Sequence, residues 1–547
     1  MLRVCSTFAA AAIALPLAAA HAQVSPGAPP AERLGQVHFP VSCTAVQKEF
    51  DRAVAMLHSF WFPPANATFR AIAAKDPQCG MAWWGVAMVA LGNPLAGAPS
   101  PQSLRAGRDA VEKAQAAGAK TERERDYIAA IAQFYRDSDK SPHRARALAY
   151  EQAMERLAAK YPDDSEANVF YALSLNITFD PGDKSYKNQL KAAGILERIF
   201  AAQPQHPGIA HYIIHSYDFP PIAGKGLDAA KRYAKIAPDA PHALHMPSHI
   251  FTRVGHWEDS IASNRASAAV AMKEYAATSS SNSVANAYHA YDYMAYGHLQ
   301  LAQDKAAKAI AEKILEIRKV DLATAGAPIA VTFAVAAIPV RYALEREQWA
   351  DAARLELPAI DLAWNQFPQT VAIVAFGRGV GAARSNDLAT AERARAELGK
   401  LREALVQMKQ VYWANQVEIQ AEVVEAWIKF AAGKTDEGLA QMRLAAEWED
   451  KTEKHPVTPG PILPARELLG DMLMQAGKPK EALAAYEHSM RVEPNRFRGL
   501  AGAARAAELS GDKEKAQQYY KRLLALAAKG DGERPILKMA RDFTGAK

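Results

Sequence analysis

A pattern of small and aromatic residues repeats with an offset of 34 residues near the carboxyl end of the chain. The same residue type recurs at Gly477 and Gly511, at Ala482 and Ala516, and at Tyr486 and Tyr520. Small residues at a fixed spacing let helices approach closely, and such a helix pair buries its apolar face only by stacking on its neighbours. The pattern therefore predicts an array of stacked helix pairs rather than a set of separate globular domains.

Helix pairs of this kind are predicted along most of the chain. From Val46 onward, apolar residues recur with a helical period in segments of about 12 to 18 residues, and alternating β-branched runs are nearly absent. In the first pair, QKEFDRAVAMLHSF and PPANATFRAIAAKDP, the second helix begins at a proline and ends before another one. About twelve such pairs follow each other with even charged and apolar fractions, so we expect helix and almost no strand.

The final two pairs resemble the tetratricopeptide repeat (TPR) family. They have a small residue where helices touch, a turn glycine, an alanine in the second helix, an aromatic residue four positions later and a closing proline, Pro494. The resemblance extends in degenerate form over residues 46–529. It implies an all-α fold, a right-handed α-solenoid (superhelix) of about twelve TPR-like helical hairpins. It also implies a concave groove that binds a protein or a peptide.

The amino terminus is predicted to be a cleaved secretory signal. Residues 1–22 begin with the basic Arg3, continue with an apolar run and end with Ala20-His21-Ala22. The apolar run is shorter than the roughly 20 residues that a bilayer requires, and no later segment is expected to be long and apolar enough to form a membrane span either. The pattern therefore indicates a periplasmic or secreted protein that begins near Gln23.

The remaining chain is expected to have five parts. They are a flexible Pro-rich leader (residues 23–42), a TPR-like helical array (43–454), a Pro-rich connector (455–464), two C-terminal TPR repeats (465–530) and a C-terminal helix or tail (531–547). The connector is stiff and extended because it holds four prolines within HPVTPGPILP. It could lie across the array like a bound peptide.

Two cysteines are left once the predicted signal is removed. Cys43 and Cys79 lie just before corresponding helices of consecutive pairs. Such helices pack roughly 8 to 10 Å apart, so the turns that flank them can close to disulfide range. Because exported proteins keep disulfides, we predict a bond between the two cysteines. The alternative is that both are small buried apolar residues.

Histidines are concentrated between His206 and His298, and their spacing follows the repeat. His211 and His245 lie 34 residues apart, and so do His215 and His249. At 100° per residue, the three histidines at 242, 245 and 249 lie within about 60° of one another on a helix, so they share one face. In the TPR resemblance this face lines the concave groove. One hairpin later, the corresponding positions hold His289, Asp292 and Tyr296.

This arrangement predicts a transition-metal site. Histidines four apart on a helix can bind one metal ion from two sides, and a carboxylate from the next helix can complete the coordination. The predicted metal ligands are His211, His215, His245, His249 and Asp292, and the predicted groove or ligand-binding residues are His242, His289 and Tyr296. The metal is zinc, copper, iron or nickel. His298 is excluded because it points to the opposite side of its helix.

Other interpretations of the same residues stay open. The histidines can recognise a peptide in the groove or form a buried hydrogen-bonded network that supports the fold. Pro247 indicates a specialised site, since a mid-helix proline costs about 3 kcal/mol and kinks the backbone. Glu467 and Asp471, four apart on the groove side, are predicted to form a solvated acidic patch; the alternative is that they face the interior of the superhelix as remote ligands.

The function expected from these features is that of an exported TPR-repeat binding or scaffold protein with a protein or peptide partner in its groove. The alternative is a metal-dependent enzyme whose active site is the central cluster of His, Asp and Tyr residues. The chain has no HExxH motif, and we assign no catalytic residue. Nucleic acid is not expected as a partner, because a net charge of +6 is spread over 547 residues without a basic run.

Overall fold

The computed structural model describes residues 32–316, 320–321, 328–531 and 533–546. The predicted signal peptide and residues 23–31 of the predicted leader lie outside the described residues. Over the described residues the regular secondary structure is helical, with no β-strand among them. The predicted all-α fold is therefore confirmed.

The first half of the array contains fourteen helices. They are α1 (Gln47–His58), α2 (Phe62–Lys75), α3 (Gly80–Ala90), α4 (Pro101–Ala117), α5 (Glu122–Tyr135), α6 (His143–Lys160), α7 (Ser165–Thr178), α8 (Lys187–Ala202), α9 (Pro207–Tyr217), α10 (Leu227–Ile236), α11 (Pro241–His245), α12 (Pro247–Arg253), α13 (Trp257–Thr278) and α14 (Ser281–Gln300). Short 3-10 turns at Thr44–Val46 and Ala223–Gly226 precede α1 and α10.

The second half continues in the same way. It contains α15 (Asp304–Lys313), α16 (Pro328–Glu345), α17 (Trp349–Ala352), α18 (Pro368–Arg384), α19 (Leu388–Gln407), α20 (Val411–Ala431), α21 (Thr435–Asp450), α22 (Ala465–Gln475), α23 (Pro479–Val492), α24 (Phe497–Leu509), α25 (Lys513–Leu526) and α26 (Pro535–Thr544). A 3-10 turn at Trp364–Gln366 precedes α18.

Helices pack in the order in which they follow along the chain. Each helix contacts the next one, and first helices of successive hairpins also contact each other, as α7 does α9, α14 does α16 and α18 does α20. This pattern is that of stacked hairpins, in which every hairpin is covered by its two neighbours. The structure is thus an α-solenoid of TPR-like hairpins, as the 34-residue repeat predicts.

The C-terminal repeats show why the small residues recur. A Cβ atom placed on Gly470 or Gly502 would lie within 2.6 Å of the ring of Tyr486, so this ring fits only against glycine backbone on both sides. Gly477 and Gly511 end their helices with φ values of +71° and +82°, the left-handed region that glycine adopts without strain. Glycine and tyrosine therefore fix the spacing of these hairpins together.

The predicted disulfide is confirmed. Cys43 and Cys79 are bonded to each other, with their Cα atoms 5.6 Å apart. Cys43 precedes the 3-10 turn before α1, and Cys79 is the residue before α3. The bond therefore joins the starts of two successive hairpins.

The Pro-rich connector packs against α14 and α16. The Tyr293 hydroxyl on α14 donates to the carbonyl oxygen of Thr458 at 3.2 Å. Arg341 on α16 donates to the Thr458 hydroxyl at 2.8 Å and to the Gly460 carbonyl oxygen at 3.0 Å. Thr458 and its neighbour Val457 are buried. The connector thus makes the kinds of contact with α14 and α16 that a bound peptide would make.

Among the described residues, helix α16 is long and apolar enough to cross a membrane. Its mean hydropathy is 1.3, and 78% of the apolar stretch is buried inside the protein. The expectation that no segment after the signal has this length and composition is therefore wrong. The reason is that α16 packs between α14 and α18, and a helix surrounded by other helices is apolar on all sides.

Glu467 and Asp471 do not form a solvated patch, so that prediction is also wrong. Glu467 is fully buried and accepts hydrogen bonds from Arg496 at 2.7 and 3.0 Å. Asp471 accepts from the Tyr486 hydroxyl at 2.7 Å and from Arg384 and Arg498. Arginines that come from other helices turn this part of the surface into a buried ion network.

Candidate metal centre

Six histidines meet where three successive hairpins stack. Their side chains come from α9, from α11 and α12, and from α14, each the first helix, or the two halves of the first helix, of its hairpin. Pro247 splits the middle helix, because α11 ends at His245 and α12 begins at Pro247. Proline has no backbone N–H to donate, so the helical hydrogen bonding is interrupted at this point.

The six rings divide into two groups of three. The first triad is His211, His215 and His242, and the second triad is His245, His249 and His289. In each triad, one nitrogen of every ring lies within 4.8 Å of the corresponding nitrogens of the other two. Each triad therefore offers three converging nitrogen donors, the arrangement that a transition-metal ion requires.

Hydrogen bonds behind the rings fix three of them in one tautomer. The Nδ1 atoms of His211 and His245 donate to the backbone oxygen of His58 and to Oδ1 of Asn264, both at 2.6 Å. Asn264 is oriented in turn, because its amide nitrogen donates to Ser260. Neither acceptor oxygen carries a proton, so the proton of each hydrogen bond is on the histidine Nδ1. The Nε2 atom of each ring therefore keeps a free lone pair.

His249 is oriented by a carboxylate. Its Nδ1 atom donates to Oδ2 of Asp218 at 2.8 Å. Burial alone would raise the pKa of Asp218, but Lys454 and Arg253 outweigh it and hold this pKa well below its usual value. Asp218 is therefore an ionised acceptor, and Nε2 of His249 also keeps its lone pair.

Lone pairs consequently face each other in the second triad. Nε2 of His245 and Nε2 of His249 lie 3.0 Å apart, and neither carries a proton in these tautomers. Two acceptors at this distance repel unless a cation lies beside both. A proton on one of the two rings is not this cation at neutral pH, because burial lowers the pKa of His249 and lowers that of His245 to about 3. The second triad is therefore a candidate metal site.

The first triad has a similar geometry. Nε2 of His211 lies 3.0 Å from Nε2 of His215 and 3.2 Å from Nε2 of His242. Burial lowers the pKa of all three rings well below the usual value, which keeps them neutral and able to bind metal. Because His211 holds its proton on Nδ1, its Nε2 is available to an ion that His215 and His242 also reach.

The two triads adjoin each other. The ring centroids of His215 and His249 are 6.2 Å apart, and those of His242 and His245 are 6.1 Å apart. His215, His242 and His289 are half-buried as whole residues, and the other three histidines are buried. Each triad therefore includes at least one histidine that is not fully buried.

Aromatic rings flank each triad. Phe60 is stacked on His242 with ring centroids 5.3 Å apart and meets His211 edge-on at 4.5 Å. Tyr293 packs against His245 and His249 at 4.9 and 5.3 Å. The Tyr293 hydroxyl lies 3.5 Å from Nε2 of His249. Large apolar surfaces thus cover the centre, while one hydroxyl points towards the second triad.

Three of the residues considered in the sequence lie outside the triads. Asp292 is buried beside Arg341, with 3.8 Å between Oδ1 and the guanidinium, and burial raises its pKa to about 6. Tyr296 is fully buried, and its hydroxyl accepts a hydrogen bond from Arg496. His298 bonds to Gln303, away from the cluster as predicted. His289, one turn before Asp292, occupies the place expected for the carboxylate, and His242 and His289 are triad members rather than groove residues.

A further group of His58, Glu166 and His206 also has converging atoms, but hydrogen bonds satisfy it. Both rings bond to Glu166 through Nε2, at 2.9 and 2.8 Å. Nδ1 of His58 pairs with the Tyr212 hydroxyl, and Nδ1 of His206 accepts from the backbone of Ile209. No lone pair is left facing another, so this group supports His211 through the His58 carbonyl and needs no metal.

Sequence reasoning missed the residues that orient and cover the triads. Asp218 follows His215 by three residues and Tyr293 follows His289 by four, so helical spacing could have indicated both. Phe60 and Asn264 carry no such signal, because only the stacking of α1 to α14 brings them to the histidines.

A cavity of about 540 Å³ lies next to this centre. Its walls include Tyr412 and Trp413 together with Arg253 and Lys454, the two cations that hold Asp218. The cavity is therefore linked to the second triad through the ion pairs of Asp218, and the histidine rings do not line it.

No protein-family model and no curated protein matches this chain. Solved structures with similar helical arrays include the APC/C hetero-tetramer Cut9–Hcn1, with 12% identity over 92% of this chain and 96% of that chain and a TM-score of 0.27. Yeast Tom70 is similar at 11% identity over 76% of this chain and 93% of that chain, with a TM-score of 0.32. Since these TM-scores are low, the fold assignment rests on the helices and their packing.

Proposed function

We propose that this chain is an exported helical-repeat protein that binds two transition-metal ions, one in each histidine triad. The observation that carries the proposal is the pair of lone pairs on His245 and His249, which face each other at 3.0 Å. A metal ion bound by both Nε2 atoms replaces this repulsion by two coordination bonds. The first triad offers the same three donors to a second ion.

The chemistry of the donors supports this proposal. Imidazole nitrogen binds zinc, copper, iron and nickel. Three protein ligands leave a position of a four-coordinate ion open, which is typical of metal sites that bind a further molecule. Hydrogen bonds from Nδ1 to Asn264, Asp218 and the His58 carbonyl hold the rings in place, as around known metal sites. The open position is compatible with an enzyme, although no catalytic residue is assigned.

Metal content of the purified mature protein tests the proposal. We expect about two ions per chain after loading with copper, zinc, iron or nickel and extensive dialysis. The double variant His245→Ala/His249→Ala should retain about one ion. His256→Ala is the matched control, because this histidine is half-exposed, lies outside both triads and should leave two ions bound. A wild-type protein that holds no ion under any of these conditions would contradict the proposal.

Export is part of the proposal. It is supported by the signal-like pattern of residues 1–22 and by the bond between Cys43 and Cys79, since disulfides persist in oxidising compartments. We expect the mass of the protein from the periplasmic or extracellular fraction to correspond to a chain that begins at Gln23. A chain that retains Met1 in the cytoplasm would contradict this part.

A second candidate function is the binding of a protein partner. Several large apolar side chains between residues 406 and 448 are exposed, among them Val411 at 68% and Leu444 at 62%. Exposed apolar patches often mark interaction sites, and repeat arrays commonly present such surfaces. A partner recovered with wild type should be lost from Leu444→Asp and retained by Leu190→Asp, which changes an exposed leucine elsewhere. Tyr296, expected in the groove, is buried and unavailable to a partner.

A further inference from the structure

Both triads consist of neutral donors, which limits the charge that they can hold. Each triad as described contains three imidazoles. The carboxylate nearest to them along the hydrogen bonds is Asp218, which already pairs with Arg253 at 2.9 Å and with Lys454 at 3.3 Å. Buried charge without a counter-charge is costly. Two monovalent ions are therefore accommodated more easily than two divalent ions.

Copper combines this low charge with a preference for imidazole. Of the metals that imidazole binds well, copper is the one with a common monovalent state. Zinc and nickel would bring two positive charges to each triad. The donor set of the centre therefore favours a pair of Cu(I) ions.

The distance between the triads suits one small bridging ligand. Rings of the two triads approach to 6.1 and 6.2 Å between centroids, at His242 with His245 and at His215 with His249. Oxidation of both ions to Cu(II) adds two positive charges that the protein does not offset. A dianion bound between the two ions would offset them.

Access to the centre favours a very small molecule. Phe60 lies on His242 and against His211, and Tyr293 packs on the rings of the second triad. His215, His242 and His289 are half-buried as whole residues, while the other three histidines are buried. A centre this enclosed favours a diatomic ligand over an organic substrate.

We propose that the two triads hold a pair of Cu(I) ions and bind dioxygen between them. The inference rests on the proposed function. Each Cu(I) gives one electron, and dioxygen takes both and becomes a peroxide dianion between two Cu(II) ions, so the total charge stays at +2 and no proton is needed. Release of dioxygen returns one electron to each ion. The cycle therefore needs no reductant.

The test uses the full mature chain, loaded under argon with two equivalents of Cu(I) from an acetonitrile complex. We expect two coppers to be retained and the solution to be colourless. On admission of dioxygen, charge-transfer absorption should appear in the near-ultraviolet and visible range, and it should disappear when the gas is removed. The oxidised sample should give almost no electron paramagnetic resonance signal, because the two Cu(II) spins couple through the bridge.

Variants show whether both triads are needed. His289→Ala should retain about one copper per chain and lose the dioxygen-dependent absorption, and His215→Ala should do the same from the other side. His256→Ala should behave like wild type. Circular dichroism of each variant shows whether it is folded, and the wild-type spectra alone decide the outcome if a variant is not.

The outcomes separate the two proposals. Two bound coppers without dioxygen-dependent absorption, or with the full signal of isolated Cu(II), would overturn the dioxygen inference and leave metal binding intact. Retention of two zinc ions but no copper would have the same meaning. A protein that retains no metal at all would overturn both.

Discussion

His245 and His249 lie four residues apart, and a different residue orients each of them. Asn264 on α13 accepts from Nδ1 of His245, and Asp218 after α9 accepts from Nδ1 of His249. Both Nε2 atoms consequently turn their lone pairs to the same point. Asn264 and Asp218 therefore orient the rings of the second triad without being candidate ligands themselves, which is the role of the groups that surround the ligands in metal sites.

Asn264→Ala tests the support of His245. Without its acceptor the ring is free to change tautomer or rotate, so we expect the second triad to bind metal about 10- to 100-fold more weakly. Competition with a chelator of known affinity measures the change. Ser267→Ala, which removes another buried hydrogen bond from the same helix, should leave the affinity close to that of wild type, and equal affinities in both variants would contradict the role of Asn264.

Asp292→Asn tests whether Asp292 binds metal. Because its carboxylate faces Arg341 and lies outside both triads, we expect the variant to retain two ions per chain, whereas His289→Ala retains about one. Elemental analysis of the two variants gives the comparison. Loss of an ion from Asp292→Asn would show that this carboxylate is a ligand after all.

The difference in stability between wild type and the same variant should depend on pH. Burial raises the pKa of Asp292 to about 6 from an ordinary value of 3.8, so the folded protein holds this proton more tightly than the unfolded chain. The contribution of Asp292 to the stability of wild type therefore falls as the pH rises from about 4 to about 6, whereas asparagine does not titrate. Above pH 6, Asp292→Asn should be more stable by about 3 kcal/mol. Urea unfolding at several pH values measures this, and parallel profiles would contradict it.

Helices and hairpins are the level at which sequence reasoning succeeded best. The 34-residue offset predicts the hairpins, and it places His211 and His245, and also His215 and His249, at equivalent positions, where the structure has them. It did not separate His242 from His245, which lie on the same helix, α11, but belong to different triads. His242 joins the histidines of α9 because of how α9 and α11 pack, which the period of one helix does not show.

The failures at Asp292 and Glu467 have a common cause. A helical face shows which residues point inward, but the partners of a buried carboxylate come from helices far along the chain, here Arg341 and Arg496. A single helix carries no information about these arginines. The ligand set and the ion networks could therefore not be derived from local spacing.

The disulfide gives a prediction for the first two hairpins. Cys43 and Cys79 are separated by 36 positions in the sequence, and closing a loop of this size removes entropy from the unfolded chain. The variant Cys43→Ala/Cys79→Ala should lose roughly 3 to 4 kcal/mol of unfolding free energy. Thermal melts show the loss, and wild type in a strong reductant should shift by a similar amount. No shift in either sample would indicate that the bond contributes nothing.

The candidate metal centre connects three hairpins of the array with the Pro-rich connector. Its histidines come from α9, α11, α12 and α14, while Lys454 and Tyr293 link Asp218 and the connector to the same place. Metal binding by such a centre should stabilise all these segments together, because an ion binds only when they are stacked.

Metal should therefore raise the stability of the central hairpins. At a free metal concentration 100-fold above Kd, one site contributes about 2.7 kcal/mol. We expect a higher melting temperature that a chelator reverses, and slower amide exchange in α9 to α14. Slower exchange confined to α22 to α26 would place the metal elsewhere.

Anomalous diffraction from crystals of the metal-loaded protein tests the central claim most directly. Data at the absorption edge of the bound metal should show two peaks, one within roughly 2.0 to 2.1 Å of a ring nitrogen of His211, His215 and His242, and one equally close to His245, His249 and His289. A map without a peak at the histidines, or with its peak at Asp292 or at His58 and His206, would contradict the account.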